Sequence, residues 1–158
     1  MIQKTSNYAR PLMIQKTIKT FALAVGLIWI STLIPAAAEG LSAADKARFQ
    51  SIISAQITAF RKDNADAAFA FASPRIQQVF RDPSVFMTMV KQTYRPVYRP
   101  KYFEFGLAEL KQGTPTQIVS ILGPNGIPWS ALYTFERQKD NSWRISGVYL
   151  LKQKGFEA

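Results

Sequence analysis

The chain has 158 residues and carries 20 Lys and Arg against 10 Asp and Glu, a formal net charge of +10, with neither His nor Cys. Those two absences exclude Ser-His-Asp and Cys-His nucleophiles, zinc sites of the His/Cys type, and disulfides. A length of this order holds one domain with its own core, and without cross-links that core has to carry the whole stability.

The first predicted element is an address. Lys4, Arg10, Lys16 and Lys19 precede a run that is apolar from Phe21 to Ile34, breaks at Pro35 and leaves through Ala36-Ala37-Ala38 before Glu39. The run falls short of the about 20 residues that span a bilayer, and Ala-Ala-Ala fits a small-residue cleavage site. Residues 1–38 are therefore predicted to be a signal peptide cleaved near Ala38/Glu39, which exports a single domain, 39–158, to the periplasm. Membrane contact is expected only through the leader before cleavage. MIQKT occurs at Met1–Thr5 and again at Met13–Thr17, so translation could start at either Met. The leader holds four of the 20 basic residues and no acidic one, so 16 stand against 10 in the remainder, a balance of +6. These charges are spread out, which favours a solvated basic surface over a nucleic-acid footprint.

Helices come next. Ser42 and Asp45 form a capping box, and behind them Phe49, Ile52, Ile53, Ile57 and Phe60 make one apolar stripe along a helix of about 18 residues. Asn64 caps a short helix containing Ala67, Phe69, Ala70 and Phe71. Ser73-Pro74 opens a third with Ile76, Val79 and Phe80, and Asp82-Pro83-Ser84 a fourth with Val85, Phe86, Met89 and Val90. The segment Tyr94–Lys101 repeats Tyr-Arg-Pro and is predicted to be a stiff, extended, basic arm, because each Arg precedes a Pro. Arg95, Arg99 and Lys101 are its candidate surface-interaction residues, suited to anionic envelope groups. A connector that shields a sheet edge is the plainer reading.

After Gln92 the period falls to two. Lys101–Leu110 places Phe103, Phe105 and Leu107 on one face, and Thr116–Leu122 is apolar on both faces, as a central strand would be. Pro128–Arg137 aligns Trp129, Ala131, Tyr133 and Phe135, while Ser142–Leu151 aligns Trp143, Ile145, Tyr149 and Leu151. Turns are marked at Gly113, at Pro124-Asn125-Gly126 and at Lys139–Ser142. Helices followed by hairpin-linked strands predict an α+β fold with the helices packed on one face of a curved antiparallel sheet.

This order, with the ending Trp143-Arg144-Ile145-Ser146-Gly147-Val148-Tyr149-Leu150 and the capped Asn64-Ala65-Asp66-Ala67-Ala68-Phe69, resembles the nuclear-transport-factor-2-like superfamily. More narrowly, Asp45–Leu151 resembles an exported bacterial family of unknown function, of the DUF4864 type. The resemblance implies a cone-shaped fold whose concave sheet face and helices enclose a pocket. It implies no chemistry.

No Gly-rich phosphate cradle stands between a strand and a helix. Only carboxylates and tyrosines are left for acid–base work. Alternation points Glu104 and Glu136 outward, Glu109 sits at a strand end, and Asp63, Asp66 and Asp82 lie at helix starts. No catalytic residue, metal or cofactor is assigned. Trp129, Tyr133, Phe135, Trp143 and Tyr149 are the candidate pocket residues, whose rings could hold an apolar ligand fixed by the two hydroxyls, or else simply pack on the first helix. The expected function is therefore binding of a small apolar ligand or an envelope protein. The alternatives are a His-free isomerase or dehydratase using a carboxylate and a Tyr, and a basic surface adaptor. An outer sheet face with Arg144, Ser146, Val148 and Leu150 beside Leu132 and Thr134 would permit a homodimer.

Overall fold

A computed structural model describes residues 40–153, and the expected leader falls outside the described residues. Five helices come first: α1 (Ala43–Arg61), α2 (Ala65–Ala70), α3 (Pro74–Phe80), α4 (Pro83–Thr93) and α5 (Arg95–Tyr98). Four strands follow: β1 (Tyr102–Lys111), β2 (Thr114–Leu122), β3 (Pro128–Arg137) and β4 (Trp143–Lys152). They pair antiparallel in the order β1-β2-β3-β4, so the fold is α+β.

Each of the first four helices starts where its cap dictates. The Ser42 hydroxyl accepts from the Asp45 amide at 3.1 Å, and the Asp45 carboxylate accepts in return from the Ser42 amide at 3.2 Å. Asn64 accepts from the Ala67 amide at 3.0 Å and Asp82 from the Ser84 amide at 2.7 Å, while Ser73 caps a helix with Pro74 in its first turn. These contacts satisfy amides that have no intrahelical partner. The stripe Phe49, Ile52, Ile53, Ile57 and Phe60 is buried, as its spacing predicts.

The extended arm is corrected. Residues Arg95–Tyr98 form one helical turn, closed by the Tyr98 amide donating to the Tyr94 carbonyl at 3.0 Å. Pro96 stands in the first turn, where its missing N–H has no intrahelical bond to lose, and burial of Pro96 and Val97 holds the turn against the core. Arg99, before Pro100, ends the turn as its C-cap, with φ −142° and ψ 71°.

The sheet departs from simple alternation twice. In β1, Phe105 faces Val119 but Ala108 faces Gln117, so two residues, Gly106 and Leu107, stand opposite Ile118 alone. This bulge turns Ala108 inward and leaves Leu107 60% exposed rather than beside Phe103 and Phe105. The buried Gln117 side chain pins it by donating Nε2 to the carbonyls of Gly106 and Ile118, both at 2.8 Å. In β4, Ile145 pairs with Phe135 and Gly147 with Thr134, so Ser146 is the extra residue. Beyond it Val148 and Leu150 pack against the core, while Tyr149 and Leu151 are 63% and 54% exposed. The inward face of β4 is thus Trp143, Ile145, Val148 and Leu150. The predicted grouping of Tyr149 and Leu151 with Trp143 and Ile145, and the outer placement of Val148 and Leu150, are both overturned by this one residue.

Helix and sheet meet at an aromatic cluster. The Phe49 ring of α1 stacks on Phe135 with centroids 4.1 Å apart and meets Trp143 edge-on at 5.0 Å. Trp143 Nε1 donates to the Asp45 carboxylate at 2.9 Å, so the cap of α1 also anchors the start of β4. Farther along, the Ser73 amide donates to the Ile145 carbonyl at 2.8 Å and the Ile145 amide to the Phe71 carbonyl at 2.9 Å. The α2–α3 link is thereby fixed to the free edge of β4.

Candidate functional site

The short helices stand off from β4 and leave a groove. A cavity of about 300 Å³ lies between the side chains of α3 and α4 on one side and Ile145–Tyr149 on the other. Phe60, Phe80, Phe86, Met89, Val90 and Val97 supply its apolar walls. Phe86 meets Phe80 at 5.6 Å and Phe69 at 5.2 Å, so that wall is a cluster of rings. Gln56, 3% exposed, is the buried polar group in the lining. Its Nε2 donates to the Ala68 carbonyl at 3.2 Å, which fixes the amide and leaves Oε1 without a partner among the described residues. The groove thus offers a hydrogen-bond acceptor among apolar walls.

A second cavity, of about 440 Å³, adjoins it across β4. Thr114, Thr116 and Thr134 line it, together with Leu132 and two cations, Arg75 and Lys111. Arg75, Ser146 and Tyr149 line both cavities, so the two share a boundary at the β4 bulge. Neither lining contains Asp or Glu, and no three acids among the described residues gather as a metal site.

The structure does not bring the five predicted aromatic residues together around one cavity. Tyr133 and Phe135 are sealed in the core, at 0% and 2% exposure. Burial alone pushes the Tyr133 hydroxyl well above the usual tyrosine pKa, and no partner for that hydroxyl exists among the described residues. Trp129 and Trp143 are partly buried against the core, with Arg137 over the Trp143 ring at 5.7 Å. Of the five, only Tyr149 lines the two cavities described above, and the bulge is what turns it out. The groove residues of α3 and α4 are visible in the sequence as apolar stripes. The missed signal is that two short helices carry more large side chains than they can bury against each other.

Of the predicted basic trio, Arg99 is engaged within the domain. Its Nη2 lies 2.6 Å from an Asp63 oxygen, Lys91 Nζ lies 2.8 Å from the other oxygen, and the Tyr98 hydroxyl donates to the same carboxylate. Lys91 and Arg99 also flank the Tyr98 ring at 5.4 and 5.1 Å. Arg95 and Lys101 remain exposed. The Lys91 and Tyr98 hydrogen bonds, in that order, lower the Asp63 pKa from 3.8 to about 2. A carboxylate depressed in the folded state stabilises the fold above its unfolded pKa and loses that effect as pH falls toward the folded value. The Asp63→Asn variant is therefore expected to melt below the parent at neutral pH, with the gap closing between pH 3.8 and about 2. Melting temperature measured against pH checks this, and a gap as wide at pH 2 as at neutral pH would refute it. Because the group is exposed, the effect is modest and shrinks with salt.

A family model described as a domain of unknown function, DUF4864, matches residues 42–158. The chain belongs to that family. The match spans every described helix and strand, so both cavities lie within the DUF4864 domain itself. No curated protein and no solved structure matches it.

Proposed function

We propose that this DUF4864 domain is an exported, non-catalytic binding module that holds a small, largely apolar molecule in the groove between α3, α4 and β4. The observation that carries this reading is the groove itself, ring-walled, about 300 Å³, with one buried amide whose oxygen has no partner among the described residues. Such a volume stands at the lower end of small-molecule sites, and a few placed polar groups in an apolar lining are their usual composition. Linings without a carboxylate favour holding a molecule over converting it by acid–base chemistry. Export is supported by the basic and apolar pattern of residues 1–38. The helix-first order and the bulged antiparallel sheet are in keeping with a nuclear-transport-factor-2-like cone.

Native mass spectrometry of protein purified from its own cell envelope is expected to reveal a retained small molecule. In vitro, the neutral probe N-phenyl-1-naphthylamine should bind one saturable site with increased fluorescence. Met89 lines the groove and is only half-buried where it packs against the core, so Met89→Trp adds bulk to the groove and is expected to abolish that binding while the domain stays folded. A folded parent protein that leaves the probe dark would overturn the reading.

A further inference from the structure

We propose that the molecule is a single-chain amphiphile with an anionic head, its chain in the apolar groove and its head between Arg75 and Lys111. This rests on the binding reading above and assigns a ligand class to the same site.

The first observation is the shared boundary. Arg75, Ser146 and Tyr149 line both the apolar groove and the polar cavity beside it, so the two adjoin at these three side chains, and the ligand proposed here crosses β4 at that point. The second is the difference in lining. The groove is walled by Phe60, Phe80, Phe86 and Met89, whereas the neighbouring cavity is lined mainly by hydroxyls, the Gln112 amide and two cations, with Leu132 as its aliphatic residue.

The third observation is which donors remain unused. Ser146 donates its hydroxyl to Thr134 at 3.0 Å, Thr134 donates to the Gly147 carbonyl at 3.3 Å, and Thr116 donates to the Thr114 carbonyl at 3.0 Å. Those three protons are committed within the sheet. The Arg75 guanidinium, the Lys111 ammonium and the Tyr149 hydroxyl have no hydrogen-bond acceptor among the described residues, and the two cations have no carboxylate within 4.0 Å there. Two unpaired cations and a free hydroxyl donor, with no acid in the lining, select a carboxylate or phosphate head over a neutral or cationic one. A groove of about 300 Å³ suits one short chain better than two.

The test is titration calorimetry of the purified protein below micelle-forming concentrations, at about 0.15 M salt so that unspecific attraction is screened. Decanoate, decanol and decyltrimethylammonium are the probes. Decanoate is expected to bind about tenfold or more tightly than decanol, with the cation weakest. In the Lys111→Gln variant, whose exposed side chain lines the polar cavity and not the groove, the advantage of decanoate should shrink severalfold while decanol affinity holds. Met89→Trp should remove both.

Equal affinities for decanoate and decanol would overturn the head-group assignment and leave the groove reading standing, as would a preference for the cation. No binding of any probe to the folded parent would overturn both. Decyl phosphate beside decanoate then separates the two sources of the head: tighter decanoate supports a free fatty acid, tighter phosphate a lysolipid-type ligand.

Discussion

Truncating Phe49 to Ala is expected to cost the domain about 3–5 kcal/mol, the range for loss of a large buried aromatic side chain. Phe49 is fully buried, stacks on Phe135 at 4.1 Å and meets Trp143 edge-on at 5.0 Å. The variant loses the transfer energy of the ring and both ring contacts, and it leaves a void among three elements that cannot close together independently. Natural domains hold only about 5–15 kcal/mol in total, so the loss is a large share. Urea unfolding followed by tryptophan fluorescence would read it as a fall in midpoint at unchanged slope. A loss under about 1 kcal/mol would show that Phe49 does not bridge α1 to β3 and β4.

Tyr133→Phe is expected to work in the opposite direction. Tyr133 is fully buried, and neither its hydroxyl nor the Gln117 Oε1, on the residue paired with it across β2 and β3, has a hydrogen-bond partner among the described residues. A buried polar atom left unpaired costs about 1–3 kcal/mol, whereas the phenyl ring keeps all of its packing when the oxygen is removed. The urea midpoint should therefore rise by an amount corresponding to about 1 kcal/mol or more. A lower midpoint would refute this.

The features legible in the sequence are those fixed by local chemistry. Ser42, Asn64, Ser73 and Asp82 each cap a helix because a short polar side chain reaches an amide two or three residues ahead, whatever surrounds it. The stripe from Phe49 to Phe60 and the face Ala131, Tyr133 and Phe135 follow from periods of 3.6 and 2. What escaped depends on partners. Alternation carries no record of a bulge, so one added residue at Ser146 exchanged the two faces of the rest of β4. Gly106 and Gly147 were the available hint, since glycine inside a strand often marks such a site. The α5 turn needed the knowledge that Pro96 and Val97 would be buried. The groove needed more still, because it is the gap left between helices and an edge strand, and no spacing within either element encodes the distance between them.

The hydrogen bond from Trp143 to Asp45 joins positions 98 apart in sequence. It follows that the hydrophobic centre cannot assemble progressively as the polypeptide emerges. The earliest helix has to wait, one side uncovered, until the last hairpin arrives to close over it. Such distant pairing slows folding and prolongs the exposure of apolar surface. A chain that stopped before residue 143 would therefore lose more than an edge strand, because the capped end of the first helix would lose the ring that covers it.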